Sequence, residues 1–180
     1  MSLVGKKILD LDLIAAQDGK IINIKLSDFS NGKLILFFYP YDFTIICPTE
    51  INKISDRKNE FDELNCSVLF ISKDSIYSHI VWSTIPRSNK GIENVAFPLV
   101  SDYKGELTDL LGFTSESGAS ERGVVILSKN LEIQYIAVNS DNVGRSSSEL
   151  LRLVSALNHT EKYGQTCAVD WEKEDEVKDL

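Results

Sequence analysis

The chain has 180 residues, 43% hydrophobic and 26% charged, the proportions of one ordinary globular domain with a core of its own. A net charge of −8 repels a phosphate backbone and excludes nucleic acid as a partner; no apolar run reaches the ~20 residues of a membrane helix. Cys47, Cys66 and Cys167 are too few and too scattered for a secreted disulfide scaffold, and with only His79 and His159 beside them no zinc ligand set emerges.

The opening MSLVGKKILDLDL is interrupted by Lys6, Lys7 and Asp10, so it does not read as a secretory signal. A reducing compartment is expected: the cytoplasm, or an organelle if a transit peptide preceded residue 1. Residues 8–26 read as two short strands around Gln17-Asp18-Gly19-Lys20, with Asp-Gly as the hairpin turn. Residues 34–39 (LILFFY) form an unbroken apolar run of strand length, the pattern of a strand covered on both faces. Over residues 48–64 the period becomes helical, with Ile51, Ile54, Phe61 and Leu64 on one side. Residues 66–72 (CSVLFIS) predict a second buried strand. Helices are predicted over 75–84 and 104–111, the second stopped by Gly112. Residues 123–128 and 132–138 read as a hairpin, and Ser146 with Glu149 as a capping box that opens a last helix. After Tyr163-Gly164 the pattern fades into a charged arm ending EKEDEVKDL. Strand, helix, strand, helix, hairpin, helix is the order of an α/β thioredoxin-like fold. Here it carries an N-terminal hairpin extension and a C-terminal arm, divided as residues 1–160 and 161–180.

Chemistry concentrates at FYPYDFTIICPTE, residues 38–50. A lone cysteine beside a core strand is usually inert. Pro48, however, suits the first position of a helix, which puts Cys47 at that helix's N-terminal end. The dipole and free amides there favour a thiolate, the nucleophilic form. Thr44 can bring a hydroxyl near the sulfur. Glu50 occupies the place where a dithiol exchanger would have its second cysteine.

Pro40-x-x-x-Thr44-x-x-Cys47 resembles the active-site signature of the peroxiredoxins, in particular the typical two-cysteine branch that includes the peroxidase component of alkyl hydroperoxide reductase. The resemblance continues through DSIYSHIVW (74–82), FPLVSD (97–102), ERGVVIL (121–127), VGRS (143–146) and YGQTCAVDW (163–171). It implies a thiol-dependent peroxidase for hydrogen peroxide and small organic hydroperoxides. Cys47 would be the peroxidatic cysteine, oxidised to a sulfenic acid, and Cys167 the resolving cysteine that closes a disulfide with it. Arg122 would supply charge and donors to the leaving oxygen, and Thr44 would orient the peroxide. Pro40 would shield the sulfur, Glu50 would orient an arginine, and Arg145 would join that network. The family also implies a homodimer with an intersubunit disulfide and allows a decameric ring, with thioredoxin or a flavoprotein disulfide reductase recycling the enzyme. No cofactor or metal is implied. A redox relay or holdase chaperone using the same cysteines is the competing reading.

The remaining residues read more simply. Cys66 is expected to be a buried, inert thiol, His79 a structural contact near a subunit interface, and Trp171 a dock for the arm. Arg87 reads as a solvated surface charge and the final acidic run as a solvated tail. Ala168 stands where the family usually has proline. Lys90-Gly91-Ile92-Glu93 replaces the GGLG loop of easily over-oxidised members, and no Tyr-Phe pair follows Cys167. The last two departures predict a robust enzyme whose first helix unfolds readily, so that resolution outruns over-oxidation.

Overall fold

The computed structural model describes residues 2–172. The acidic run from residue 173 onward lies outside the described residues. The chain opens with the expected hairpin, β1 (Asp12–Gln17) against β2 (Lys20–Lys25). Asp18 and Gly19 both take positive φ, 51° and 71°, as a two-residue turn that follows the strand twist demands. Next come β3 (Lys33–Phe38), α1 (Cys47–Ser55), α2 (Lys58–Glu63), β4 (Cys66–Ser72) and α3 (Ile76–Trp82). Then β5 (Leu99–Ser101), α4 (Glu106–Leu110), β6 (Arg122–Leu127), β7 (Ile133–Asn139) and α5 (Ser147–Tyr163) complete it.

The strands form one seven-stranded sheet in the order β2-β1-β5-β4-β3-β6-β7. β4 runs parallel to both β3 and β5, and the other pairings are antiparallel. All six residues of β3 are buried, because each face of the sheet has its own cover. Ile35 and Phe37 join Val68 and Phe70 beneath Ile51, Ile54, Phe61, Leu150 and Val154 from α1, α2 and α5. Leu34, Leu36 and Phe38 point the other way, toward Leu69, Ile71, Leu107, Leu111 and Phe113. Two-sided burial explains why β3 and β4 lack the alternation of a half-exposed strand.

Three local features differ from the sequence reading. The helical stretch over 48–64 is two helices, broken at Asp56 and Arg57. There the Arg57 guanidinium leaves the helix to donate to Ser147 Oγ (3.2 Å) and Ser148 Oγ (2.8 Å) at the start of α5. β5 has three residues, too few to show a period. Ser146 caps α5 by accepting from the Glu149 amide at 3.2 Å. The Glu149 carboxylate, however, faces Arg152 at 2.7 and 2.8 Å instead of returning to the cap. Among the described residues no helix is long and apolar enough to cross a membrane.

Candidate active site

Where β3 ends, the chain leaves the sheet through Tyr39 and Pro40 and loops to α1. Asp42 anchors this loop from inside. Its carboxylate accepts from Tyr39 Oη (2.9 Å) and Ser78 Oγ (2.7 Å) and faces His79 Nδ1 at 2.9 Å. His79 is fully buried, and its Nε2 donates to the Val100 carbonyl at 3.1 Å. The Asp42 amide donates to Asp74 Oδ2 at 2.9 Å. Burial, and then the Asp42 charge, hold the Tyr39 hydroxyl well above its ordinary pKa. So Tyr39 stays a neutral donor. Phe43 takes a left-handed φ of 58°, a costly conformation for a non-glycine residue. Its ring rests against Trp82 at 5.9 Å.

Cys47 is the first residue of α1, with Pro48 beside it and only 1% of its surface exposed. The Thr49 and Glu50 amides are committed to the Ile46 carbonyl at 3.0 and 3.2 Å; Pro48 has no N–H, which leaves that of Cys47 itself. Arg122, the first residue of β6, points Nη1 at Cys47 Sγ from 3.6 Å. The same nitrogen donates to Glu50 Oε2 at 2.7 Å. Arg122 Nε and Nη2 donate to the Asp141 carbonyl at 3.1 and 2.9 Å, so the guanidinium is held on three sides. The next residue, Gly123, admits the strand to this position. A Cβ there would come within 2.5 Å of the Phe113 ring.

Glu50 is the hub. Its Oε1 accepts from the Arg145 amide (2.6 Å) and Nε (3.0 Å), and its Oε2 from Arg145 Nη2 (3.0 Å). Arg145 also donates to the carbonyls of Phe38 and Gly123 and lies over the Phe37 ring at 3.4 Å. Burial lowers the Arg145 pKa against the pull of Glu50. At Arg122 burial acts the same way but is outweighed by the bonds to Cys47 and Glu50, so its pKa rises. Both remain charged. Two guanidiniums around one carboxylate leave a net positive charge beside the sulfur. Negative charge at the sulfur, or on an oxygen departing from it, is stabilised there.

The structure thus brings together Cys47, Glu50, Arg122 and Arg145. Thr44 and Pro40 sit half-buried on the loop before α1, and the Thr44 hydroxyl donates back to the Tyr41 carbonyl at 3.1 Å. Cys167 lies apart, beyond α5, with its thiol 3.7 Å from the Ala156 carbonyl. Cys66 is 3% exposed, and burial pushes its thiol up to about 12, which fits an unreactive residue. Trp171 is 7% exposed, as expected of a docking residue. Arg87 departs from the sequence reading. It donates to Asp56 Oδ1 (2.6 Å) at the end of α1 and to the Glu93 carbonyl (3.2 Å). Sequence reasoning missed Asp42 and Asp141. Asp42 could have been found as the one charge in an apolar loop; Asp141 acts through its carbonyl, for which no residue type gives a signal.

Residues 4–136 match the AhpC/TSA family. The chain is 41% identical over 170 residues to a putative thioredoxin peroxidase of Encephalitozoon cuniculi, covering 94% of this chain and 96% of that one. It is 39% identical to the chloroplastic 2-Cys peroxiredoxin BAS1 of Hordeum vulgare, over 95% of this chain and 82% of the relative. Its fold superimposes on the reduced 2-Cys peroxiredoxin of Plasmodium vivax with a TM-score of 0.94 and 32% identity, over 98% and 92% of the two chains. On these matches this chain belongs to the AhpC/TSA family as a thiol-dependent peroxidase of the two-cysteine peroxiredoxin type.

Proposed function

We propose that Cys47 is the peroxidatic residue for hydrogen peroxide and small organic hydroperoxides. The Cys47 thiolate attacks the terminal peroxide oxygen, an S–O bond forms and the O–O bond breaks. The departing alkoxide or hydroxide takes a proton, leaving a sulfenic acid and an alcohol or water. Arg122 faces the charge that develops in this step. Glu50 and Arg145 keep Arg122 aimed, while Thr44 and Pro40 shape the approach to the sulfur. The observation that carries the reading is the 3.6 Å separation of Arg122 Nη1 from Cys47 Sγ inside that network. An enclosed sulfur, 1% exposed, suits small peroxides better than bulky ones.

The expected boundary after residue 160 falls inside α5, which runs to Tyr163; Cys167, on the arm that follows this helix, resolves the sulfenic acid to a disulfide with release of water. Thioredoxin, the reductant named for similar proteins, then returns both thiols. The resolving thiol comes from the second subunit of a homodimer. β7 is an edge strand of the sheet, with Val138 51% exposed, and edge pairing with a second copy would cover it. Tyr41, Phe43, Tyr77, Val81 and Tyr103 are also exposed and offer a second apolar contact of the kind a decameric ring needs.

In a thioredoxin-coupled assay, Cys47→Ser should abolish peroxide consumption. Cys167→Ser should retain sulfenic acid formation but lose the disulfide-linked dimer on a non-reducing gel. Turnover by the first variant, or linked dimer in the second, would remove the assigned residue from its role.

A further inference from the structure

Asn139 ends β7 directly opposite Arg122, which begins β6, and the two form the last rung of that ladder. Beyond it the chain runs toward α5 through Ser140-Asp141-Asn142-Val143-Gly144. All five residues are exposed and none is proline. Among the described residues, none of their side chains makes a hydrogen bond or ion pair. Such a segment has little of its own to fix it. Yet it carries the Asp141 carbonyl, which accepts from Arg122 Nε (3.1 Å) and Nη2 (2.9 Å). The guanidinium that faces Cys47 therefore takes its orientation in part from an exposed loop.

The loop is fixed at both ends by side chains outside it. At the near end Asn139 Nδ2 donates to the Val143 carbonyl at 3.2 Å and reaches the Gly144 carbonyl at 3.5 Å. Within the span so closed, the Val143 amide donates to the Ser140 carbonyl at 2.9 Å, a four-residue turn with Asp141 at its second position. At the far end Gly144 lies against α1, where a Cβ would meet Ile46 Cγ2 at 3.5 Å and Glu50 Cγ at 3.7 Å. The next amide, that of Arg145, donates to Glu50 Oε1 at 2.6 Å. Asparagine suits its place because it is short enough to fold back from the strand end and its amide can donate to carbonyls. An aspartate of the same size cannot donate. Arg122 is 4% exposed. If the Asp141 carbonyl moved, two buried donors would lose their acceptor and turn elsewhere, taking Nη1 off its line to the sulfur.

We propose that Asn139 is a positioning residue for the peroxidatic step: its side-chain amide folds the 140–144 turn, the turn holds the Asp141 carbonyl, and that carbonyl aims Arg122 at the Cys47 sulfur. The proposal rests on Arg122 as the group that faces the charge developing on the departing oxygen. Asn139 makes no hydrogen bond to the sulfur, so its effect passes through Arg122.

The test uses the full chain, reduced and mixed with hydrogen peroxide in stopped flow, and reads the second-order rate of Cys47 oxidation in a double-mutant cycle. Asn139→Leu and Asn139→Asp, both close to asparagine in size, should lower that rate about five- to fiftyfold, less than Arg122→Met does, because the charge stays near the sulfur. Asn139→Gln, which keeps an amide donor, should lie closer to wild type than either. In the Arg122→Met background, Asn139→Leu should cost less than about twofold more, since nothing is left to aim. An equal loss in both backgrounds would make Asn139 a general support of the fold and overturn the proposal. So would wild-type rates in both Asn139→Leu and Asn139→Asp. The Arg122 Nε–H proton resonance, assigned by its absence from Arg122→Met, gives a second readout. It should be sharp and slow to exchange in wild type and broadened or lost in Asn139→Leu; an unchanged signal there also overturns the proposal. Arg122→Met alone separates the two ideas. If it reacts at the wild-type rate, the reading of Arg122 fails and the role of Asn139 goes with it. A slow Arg122→Met beside a fast Asn139→Leu strikes Asn139 only.

Discussion

Arg122 performs two tasks that a single positive charge would not. It faces the sulfur with one nitrogen, and it is aimed by bonds to Glu50 and the Asp141 carbonyl. Losing one aimed donor of this kind costs about 10²–10³ in rate, so Arg122→Met should lower the second-order rate with peroxide by that factor. Arg122→Lys should fall between, because an ammonium keeps the charge but lacks the planar fork that holds Glu50 and Asp141 together. Competition kinetics against a second peroxidase would measure both, and a rate within threefold of wild type for Arg122→Met would remove the residue from the chemistry. Much of this site was legible. Cys47 before Pro48 follows from helix-start chemistry alone, and the resemblance supplied Arg122, Glu50 and Arg145. Their bond pattern was not legible, because carbonyl partners such as Asp141, Phe38 and Gly123 leave no trace in residue type. Thr44 shows the opposite limit: its identity was readable but not that its hydroxyl turns to the Tyr41 carbonyl.

α1 has nine residues, too few to persist on its own, so its tertiary ties decide how easily Cys47 is freed. Glu50 holds its first turn through both arginines. Farther along, Asn52 Nδ2 donates to the Gly91 carbonyl (3.0 Å), Ser55 Oγ accepts from the Ala96 amide (3.3 Å) and Asp56 pairs with Arg87 (2.6 Å). Three of these four ties reach the segment around Lys90-Gly91-Ile92-Glu93, whose sequence lacks the GGLG motif and so predicted ready unwinding. The Asp56–Arg87 pair is half open to water, with side-chain exposures of 52% and 34%, and such pairs contribute about 0.2–1 kcal/mol. Asp56→Ala should therefore speed hydrogen exchange of the α1 amides about two- to fivefold while leaving β3 and β4 protected. Equal protection in the variant would mean the pair does not restrain the helix. The unbroken apolar runs announced β3 and β4 because helices cover both faces of the sheet there. The break between α1 and α2 was not read from the sequence: Arg57 there pairs with Glu60 in α2 and also reaches Ser147 at the start of α5, 90 residues away in sequence.

One carboxylate joins three distant parts of the molecule. Glu161, near the end of α5, bonds to Lys33 at the first position of β3 (2.5 Å) and approaches Lys129 at the β6–β7 turn (3.6 Å). The Lys33 side chain is 1% exposed, whereas that of Glu161 is 44% exposed. A buried ammonium without its anion is costly, so the pair matters more to Lys33 than to its partner. The Lys33 hydrogen bond, opposed by burial and aided by the charges of Lys33 and Lys129, holds the Glu161 carboxyl below its ordinary 4.5. The sign follows directly. An acid depressed in the folded state contributes stability that is present above its unfolded value and is lost as the pH falls through the folded one. Glu161→Gln should cost about 1–3 kcal/mol at neutral pH, less than breaking a wholly buried pair because water screens half of this one. Its stability should also decline less than that of wild type on the acid side of 4.5, since glutamine has no proton to gain. Denaturant midpoints at neutral pH and near pH 4 would measure both effects. Peroxide reactivity should be untouched, because the pair lies at the opposite end of β3 from the strand terminus that leads to Cys47. A variant that lost stability in parallel with wild type through the acid range would show that the Glu161 pair does not contribute to holding α5 against β3.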